Sequence, residues 1–273
     1  MLREILKVIF LGIVEGITEW LPISSTGHML LVDEFLQLSA SDAFKEFFFI
    51  AIQLGAIVAV ILLFWDRMWP FYRSRRGTVL RYDVLATWGK VIVACIPGAV
   101  VTLLFDDWVD EHLHTPTVIA LALIFYGVGF LVVEGRRRRR PRVQRLRDIT
   151  LFDAVAIGLF QVLSIIPGTS RSGATILGAL ILGVSRVAAA EFTFFLAVPV
   201  MFGYSLLKLV KFGFAFAFSE IVLLLFGMAT AFVVSLFAVR FLMRYIKRHD
   251  FRAFGWYRIV LGLLVLIWFA LKH

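Results

Sequence analysis

Eight apolar stretches alternate with polar segments along the chain, and six of them are long enough to cross the roughly 30 Å hydrocarbon layer of a bilayer, which takes about 20 helical residues. They lie near 47–65, 85–105, 118–133, 188–210, 221–243 and 256–271. The other two, 2–21 and 151–166, each stop at a proline beside polar residues, pass through a turn of small hydroxyl residues, and restart as a short second run. Backbone groups freed by such a break inside lipid must find protein, water or a ligand. The pattern therefore predicts an all-α integral membrane protein: one membrane domain over 1–273 with six transmembrane helices plus two re-entrant helix pairs.

Composition agrees with the pattern. The chain is 61% hydrophobic with a mean hydropathy of +0.91, above the roughly 45–50% apolar content of a soluble domain. Arg3 and Lys7 ahead of an apolar run look like the start of a signal peptide, but Glu15 and Glu19 lie inside that run and no small-residue cleavage site follows. Removal is not expected. Cys95 is the only cysteine, which excludes an internal disulfide and a cysteine-based metal site.

The net charge of +9 is concentrated in loops. Assigning the basic loops 67–81, 136–147 and 244–252 to the cytoplasm leaves the acidic segment Asp106-Asp-Trp-Val-Asp-Glu-His-Leu-His114 and the connection 212–219 outside. The assignments alternate across all six spans. Arg136-Arg-Arg-Arg-Arg-Pro-Arg142, with Arg145 and Arg147, lacks the interleaved aromatics of a single-strand binder. It reads as a topology determinant that touches anionic lipid, with no nucleic-acid partner.

With those sides assigned, the first re-entrant pair enters from outside and the second from the cytoplasm. That is an inverted-topology repeat: a first repeat over 1–135, the Arg-rich cytoplasmic loop 136–147, and an inverted second repeat over 148–273. Gly12, Ser24, Thr26 and Gly27 match Gly158, Ser170, Ser172 and Gly173 at one constant offset, and Glu46-Phe47 recurs as Glu191-Phe192. Arg3 and Lys7 would sit outside, against the charge rule, though a segment that never crosses is weakly held by it.

The breaks carry the chemistry. Glu15 and Glu19 are spaced i, i+4, so both carboxylates project from one helix face. Each costs on the order of 2.5–3.5 kcal/mol at mid-bilayer, so they need a basic partner or a divalent cation, Mg²⁺ or Ca²⁺, that also takes phosphate oxygens. Ser24, Ser25, Thr26 and Gly27 after Pro22, and Ser170, Arg171, Ser172 and Gly173 after Pro167, offer hydroxyls and helix N-termini suited to phosphate. Arg171 is either a bidentate phosphate clamp or a countercharge for Glu15 or Glu19. Ser25 is either a helix cap or, with His28 three residues on, a nucleophile beside a base. The second half carries Gln161, Ile165, Arg171 and Ala174 where the first has Glu15, Glu19, Ser25 and His28. Such asymmetry suits an enzyme in which one half supplies metal ligands, nucleophile and acid/base and the other the clamp.

At these residues, Glu15-Gly-Ile-Thr-Glu-Trp-Leu-Pro-Ile-Ser-Ser-Thr-Gly-His28 resembles the E-x-x-x-E signature of the bacterial undecaprenyl pyrophosphate phosphatase family, and Pro167-Gly-Thr-Ser-Arg-Ser-Gly173 its P-G-x-S-R-S-G motif. Ile52-Gln-Leu-Gly-Ala56 and Ala189-Ala-Glu-Phe192 extend the similarity along the chain. The resemblance implies release of inorganic phosphate from the C55 lipid diphosphate left by cell-wall glycan polymerisation, with divalent-metal dependence and a link to bacitracin resistance. It implies that Glu15, Glu19, Ser25, His28 and Arg171 act at an outward-facing site in the bacterial inner membrane. A polyprenyl diphosphate and the lipid bilayer are then the partners, and a homodimer is left open. The rival expectation is a lipid or anion transporter, because broken helices and inverted repeats are common in transporters.

Overall fold

The structure, a computed structural model, describes residues 1–74, 77–136, 140–212 and 216–272; parts of the Arg-rich loop and of the 212–219 connection lie outside the described residues. The chain runs through helices α1 (Leu2–Thr18), α2 (Ser25–Phe35), α3 (Asp42–Leu63) and the one-turn α4 (Trp65–Met68). A hairpin of strands β1 (Phe71–Ser74) and β2 (Gly77–Leu80) follows, with Phe71 opposite Leu80. Then come α5 (Tyr82–Leu113), α6 (Pro116–Arg136), α7 (Leu151–Val162), α8 (Arg171–Ile181), α9 (Arg186–Phe212), α10 (Phe218–Tyr245) and α11 (Arg252–Lys272). Six of these, α3, α5, α6, α9, α10 and α11, are long and apolar enough to cross a membrane.

Two segments differ from the sequence expectation. The acidic stretch 106–114 is not a loop: α5 continues through it as a 32-residue helix to Leu113. Aspartate and glutamate remain compatible with a helix once one is propagating, and no glycine or proline lies between Asp106 and Pro116. The basic loop 67–81 contains the β1–β2 hairpin, too short for hydropathy to signal.

Each short helix pair is closed at its ends. Lys7 Nζ donates to the Gln37 carbonyl at 2.5 Å and Ser39 N–H donates to Glu4 Oε2 at 3.0 Å, so the start of α1 lies beside the end of α2. Arg142 binds the Leu182 carbonyl at 3.2 Å and pairs with Asp153, and Ser185 Oγ donates to the Gln144 carbonyl at 2.8 Å, joining the start of α7 to the end of α8. Helix α7 begins on a capping box in which Asp153 N–H donates to Thr150 Oγ1 at 3.1 Å and Thr150 N–H to Asp153 Oδ2 at 3.0 Å.

The long helices hold these pairs in a reciprocal way. Helix α1 packs along α10 and α7 along α5, while α6 packs on α11 and α3 on α9. Glycine permits both of the first contacts. A Cβ at Gly12 would lie 2.7 Å from the Gly227 carbonyl oxygen, and one at Gly158 would collide with the Ala94 carbonyl. Close helix approach through small residues is the usual means of packing in lipid, where hydrophobicity does not drive association.

Candidate active site

The two breaks have the same backbone construction. Helix α1 ends ahead of Pro22, which disfavours helical geometry in the residue before it, and α2 restarts at Ser25. Ser24 takes φ 72° and its hydroxyl accepts from Gly27 N–H at 3.3 Å; Ser170 takes φ 68° and accepts from Gly173 N–H at 3.1 Å. A positive φ outside glycine persists only where the surroundings over-determine it, and it clusters at functional sites. Here it turns the chain sharply enough to start a new helix two residues after the proline-bearing turn.

Arg258, in α11, joins the two turns. Its side chain is wholly buried and donates to the Pro22 carbonyl at 3.2 Å and to the Gly168 and Thr169 carbonyls at 2.9 Å each, with Leu123 O at 3.4 Å. The guanidinium lies 5.6 Å from the Tyr126 ring centroid. Ser172 Oγ adds a second tie, donating to the Glu19 carbonyl at 3.1 Å. Sequence reasoning missed Arg258. Its only signal was a lone arginine inside the last predicted span, and an intramembrane charge is a functional or structural marker by default.

Where the turns meet there is a cavity of about 530 Å³. Glu19, Ser25, Thr26, Gln161, Ser170 and Arg171 line one end, and Asp106, Asp110 and His114 of the acidic end of α5 line the other. Arg171 Nη2 pairs with Glu19 Oε1 at 2.8 Å, and Ser25 Oγ donates to Glu19 Oε2 at 3.0 Å. Arg171 Nη1 also reaches the Thr193 carbonyl at 3.4 Å, and Thr193 Oγ1 meets Thr175 Oγ1 at 2.9 Å. The buried Trp20 ring lies 6.0 Å from the Arg171 guanidinium carbon. Residues 152 positions apart in sequence thus form one charged, hydrogen-bonded unit.

The remaining expected residues are arranged differently. His28 does not face Ser25. Its Nδ1 donates to the Ser24 carbonyl at 2.7 Å, so Nε2 is left to accept from the Tyr257 hydroxyl at 2.7 Å, and the two rings stack at 5.6 Å. It lies outside the cavity lining, because the ring is held between the Ser24 carbonyl and Tyr257 of α11. The Ser25 hydroxyl's partner is Glu19. The residues of the two turns divide likewise: Ser25, Thr26, Ser170 and Arg171 line the cavity, whereas Ser24, Gly27, Ser172 and Gly173 are buried in the caps and in the tie between the turns.

Glu15 is 2% exposed, and its Oε1 has no hydrogen-bond partner among the described residues. It feels both Glu19 and Arg171 electrostatically. Two carboxylates against one guanidinium, one of them with an unsatisfied oxygen in a buried site, fit a divalent cation. No cluster of three or more His, Cys, Asp or Glu side chains suited to a metal occurs among the described residues. Phosphate oxygens and water would therefore supply the other ligands, as is usual for Mg²⁺.

Comparison with known proteins fits this geometry. Residues 8–264 match the family model described as bacitracin resistance protein BacA. A protein named undecaprenyl-diphosphatase from Enterococcus faecalis is 63% identical over 266 residues, covering 97% of this chain and 96% of that one. Proteins of the same name from Lachnoclostridium phytofermentans and Desulfitobacterium hafniense are 56% and 55% identical, each covering 99% of this chain and 98% of their own length.

Proposed function

This chain belongs to the family of bacitracin resistance protein BacA, and from that membership and the site's geometry we propose how it works. It is an undecaprenyl-diphosphatase, a multi-pass membrane hydrolase of bacteria that releases inorganic phosphate from undecaprenyl diphosphate and returns the lipid carrier to cell-wall synthesis. A transporter is not favoured, since the relatives bear the name of a hydrolase.

The observation that carries the mechanism is the convergence of Glu19, Ser25 and Arg171 in one cavity. Arg171 takes phosphoryl oxygens with its remaining donors and stabilises the charge that develops in transfer. Ser25 Oγ attacks the terminal phosphorus as its proton passes to Glu19 Oε2. The bond from that phosphorus to the bridging oxygen breaks, and undecaprenyl phosphate leaves. Water then attacks the phosphoserine, one of its protons goes to the Ser25 oxygen, hydrogen phosphate departs, and Glu19 gives its proton to solvent. A divalent cation held by Glu15 and Glu19 would neutralise part of the diphosphate charge. His28 acts on this scheme indirectly, fixing the Ser24 cap through its carbonyl.

The same reading makes α1–α2 and α7–α8 re-entrant pairs of an inverted repeat in the inner membrane, with the site open to the periplasm. The closed ends of each pair, the reciprocal packing of α1 on α10 and α7 on α5, and the cavity's continuation to the acidic end of α5 support it.

The test is phosphate release from undecaprenyl diphosphate by detergent-purified protein. Exhaustive chelation and Glu15→Gln should each remove most activity, and Mg²⁺ or Ca²⁺ should restore the chelated enzyme. Full turnover after chelation would remove the cation from the scheme.

A further inference from the structure

The lining of the cavity is of two unlike chemistries. Toward the end of α5 the cavity is ringed by Asp106, Asp110 and His114; Lys208 there pairs with Asp106 at 3.4 Å and Asp110 at 3.6 Å. This mouth is charged and polar and suits water. On its flank, between α5 and α9, the lining turns apolar. Leu103 borders the cavity and is nevertheless 69% exposed on the outside of the helix bundle. Ala99 beside it and Gly203 on α9 are likewise both cavity-lining and exposed. A side chain that borders a cavity and faces outward at once marks a gap in the wall. At Gly203 the gap is open enough that a Cβ would meet nothing within 4 Å. Each helix also carries an internal proline near this level, Pro97 in α5 and Pro199 in α9, and a proline has no N–H to give the preceding turn.

We propose that this slot between α5 and α9 is the lateral port through which the polyprenyl chain of the substrate passes from the cavity into the lipid while the diphosphate is held at Glu19 and Arg171. The inference rests on the phosphatase reading above. A C55 chain is far too large for a cavity of about 530 Å³, and its apolar surface strongly disfavours leaving through the charged mouth into water. The path from the phosphate site to lipid must therefore be apolar and sideways, and the α5–α9 slot has both properties. Tyr204 Oη, 3.4 Å from Asp106 Oδ1, bridges the two helices at the outer edge of the slot and separates it from the aqueous mouth.

The experiment compares kcat/KM for undecaprenyl diphosphate with that for the C15 farnesyl diphosphate, in wild type, Gly203→Trp and Ala99→Trp. Either tryptophan, placed from opposite walls, should lower the C55-to-C15 ratio at least tenfold, with the loss mainly in the apparent KM for the long substrate. An unchanged ratio, or equal abolition of both activities by both tryptophans, overturns the port. Failure of the wild-type protein to release phosphate from either substrate would instead sink the phosphatase reading on which the port depends.

Discussion

A single guanidinium and a single hydroxyl decide whether the site does chemistry or only balances charge. If Arg171 were no more than a countercharge for Glu19, lysine would serve; a planar fork that must hold Glu19 and phosphoryl oxygens together cannot be replaced by a point ammonium. Arg171→Lys should lower kcat at least about 100-fold, the scale of losing one transition-state donor, and wild-type kinetics in that variant would reduce Arg171 to a countercharge. Ser25 is the first residue of α2 while Ser24 provides the cap, so Ser25→Ala should remove turnover by several orders of magnitude without a shift in thermal unfolding. Substantial residual turnover would point to direct attack by water. Arg258 belongs to another category, because it touches carbonyls of the turns and lies outside the cavity lining. Arg258→Met strips donors from buried carbonyls, at about 1–3 kcal/mol for each left unsatisfied, and should lower Tm by several degrees, with Arg258→Lys recovering only part of the loss.

At the scale of elements, the broken helices depend on how closely the long helices approach them. Gly12 and Gly158, matched at the constant sequence offset of the two breaks, meet backbone carbonyls of α10 and α5 with no room for a side chain. Gly158→Leu should push α7 off α5 and cost about 1–3 kcal/mol or more as overpacking. Because α7 leads into the turn that bears Arg171, activity should fall along with stability in detergent thermal scans. A variant with unchanged Tm and turnover would mean that the α5–α7 contact does not position the turn. The breaks themselves were legible locally, since Pro22 and Pro167 beside runs of serine, threonine and glycine have few other uses inside an apolar stretch. The extension of α5 through its acidic end was not legible, because charge alone marks exposure and says nothing about where a helix stops.

For the whole molecule, the proposed sidedness rests on loop charge and on the inverted repeat expected from the sequence. In a Cys95→Ala background, cysteines introduced at Asp110 and Ser219 should react with an impermeant thiol reagent in intact cells, whereas one at Gln144 should react only after lysis. Labelling of Gln144→Cys from outside would reverse both the topology and the outward-facing site.

By itself the sequence determined the six long helices, the two breaks and the intramembrane charges beside them, because hydropathy, proline and intramembrane charge act over one or two turns of chain and leave a local mark. It also put Glu19, Ser25 and Arg171 on the list of candidates from which the site is built. Only the tertiary structure decided that Glu19 binds both Ser25 and Arg171, that His28 turns away to Tyr257, that Ser24, Gly27, Ser172 and Gly173 serve the caps and the tie and not the cavity, and that Arg258 holds the turns together. Those outcomes depend on which carbonyls and side chains are brought within about 3 Å by helices far apart in sequence, and a one-dimensional pattern carries no record of such distances.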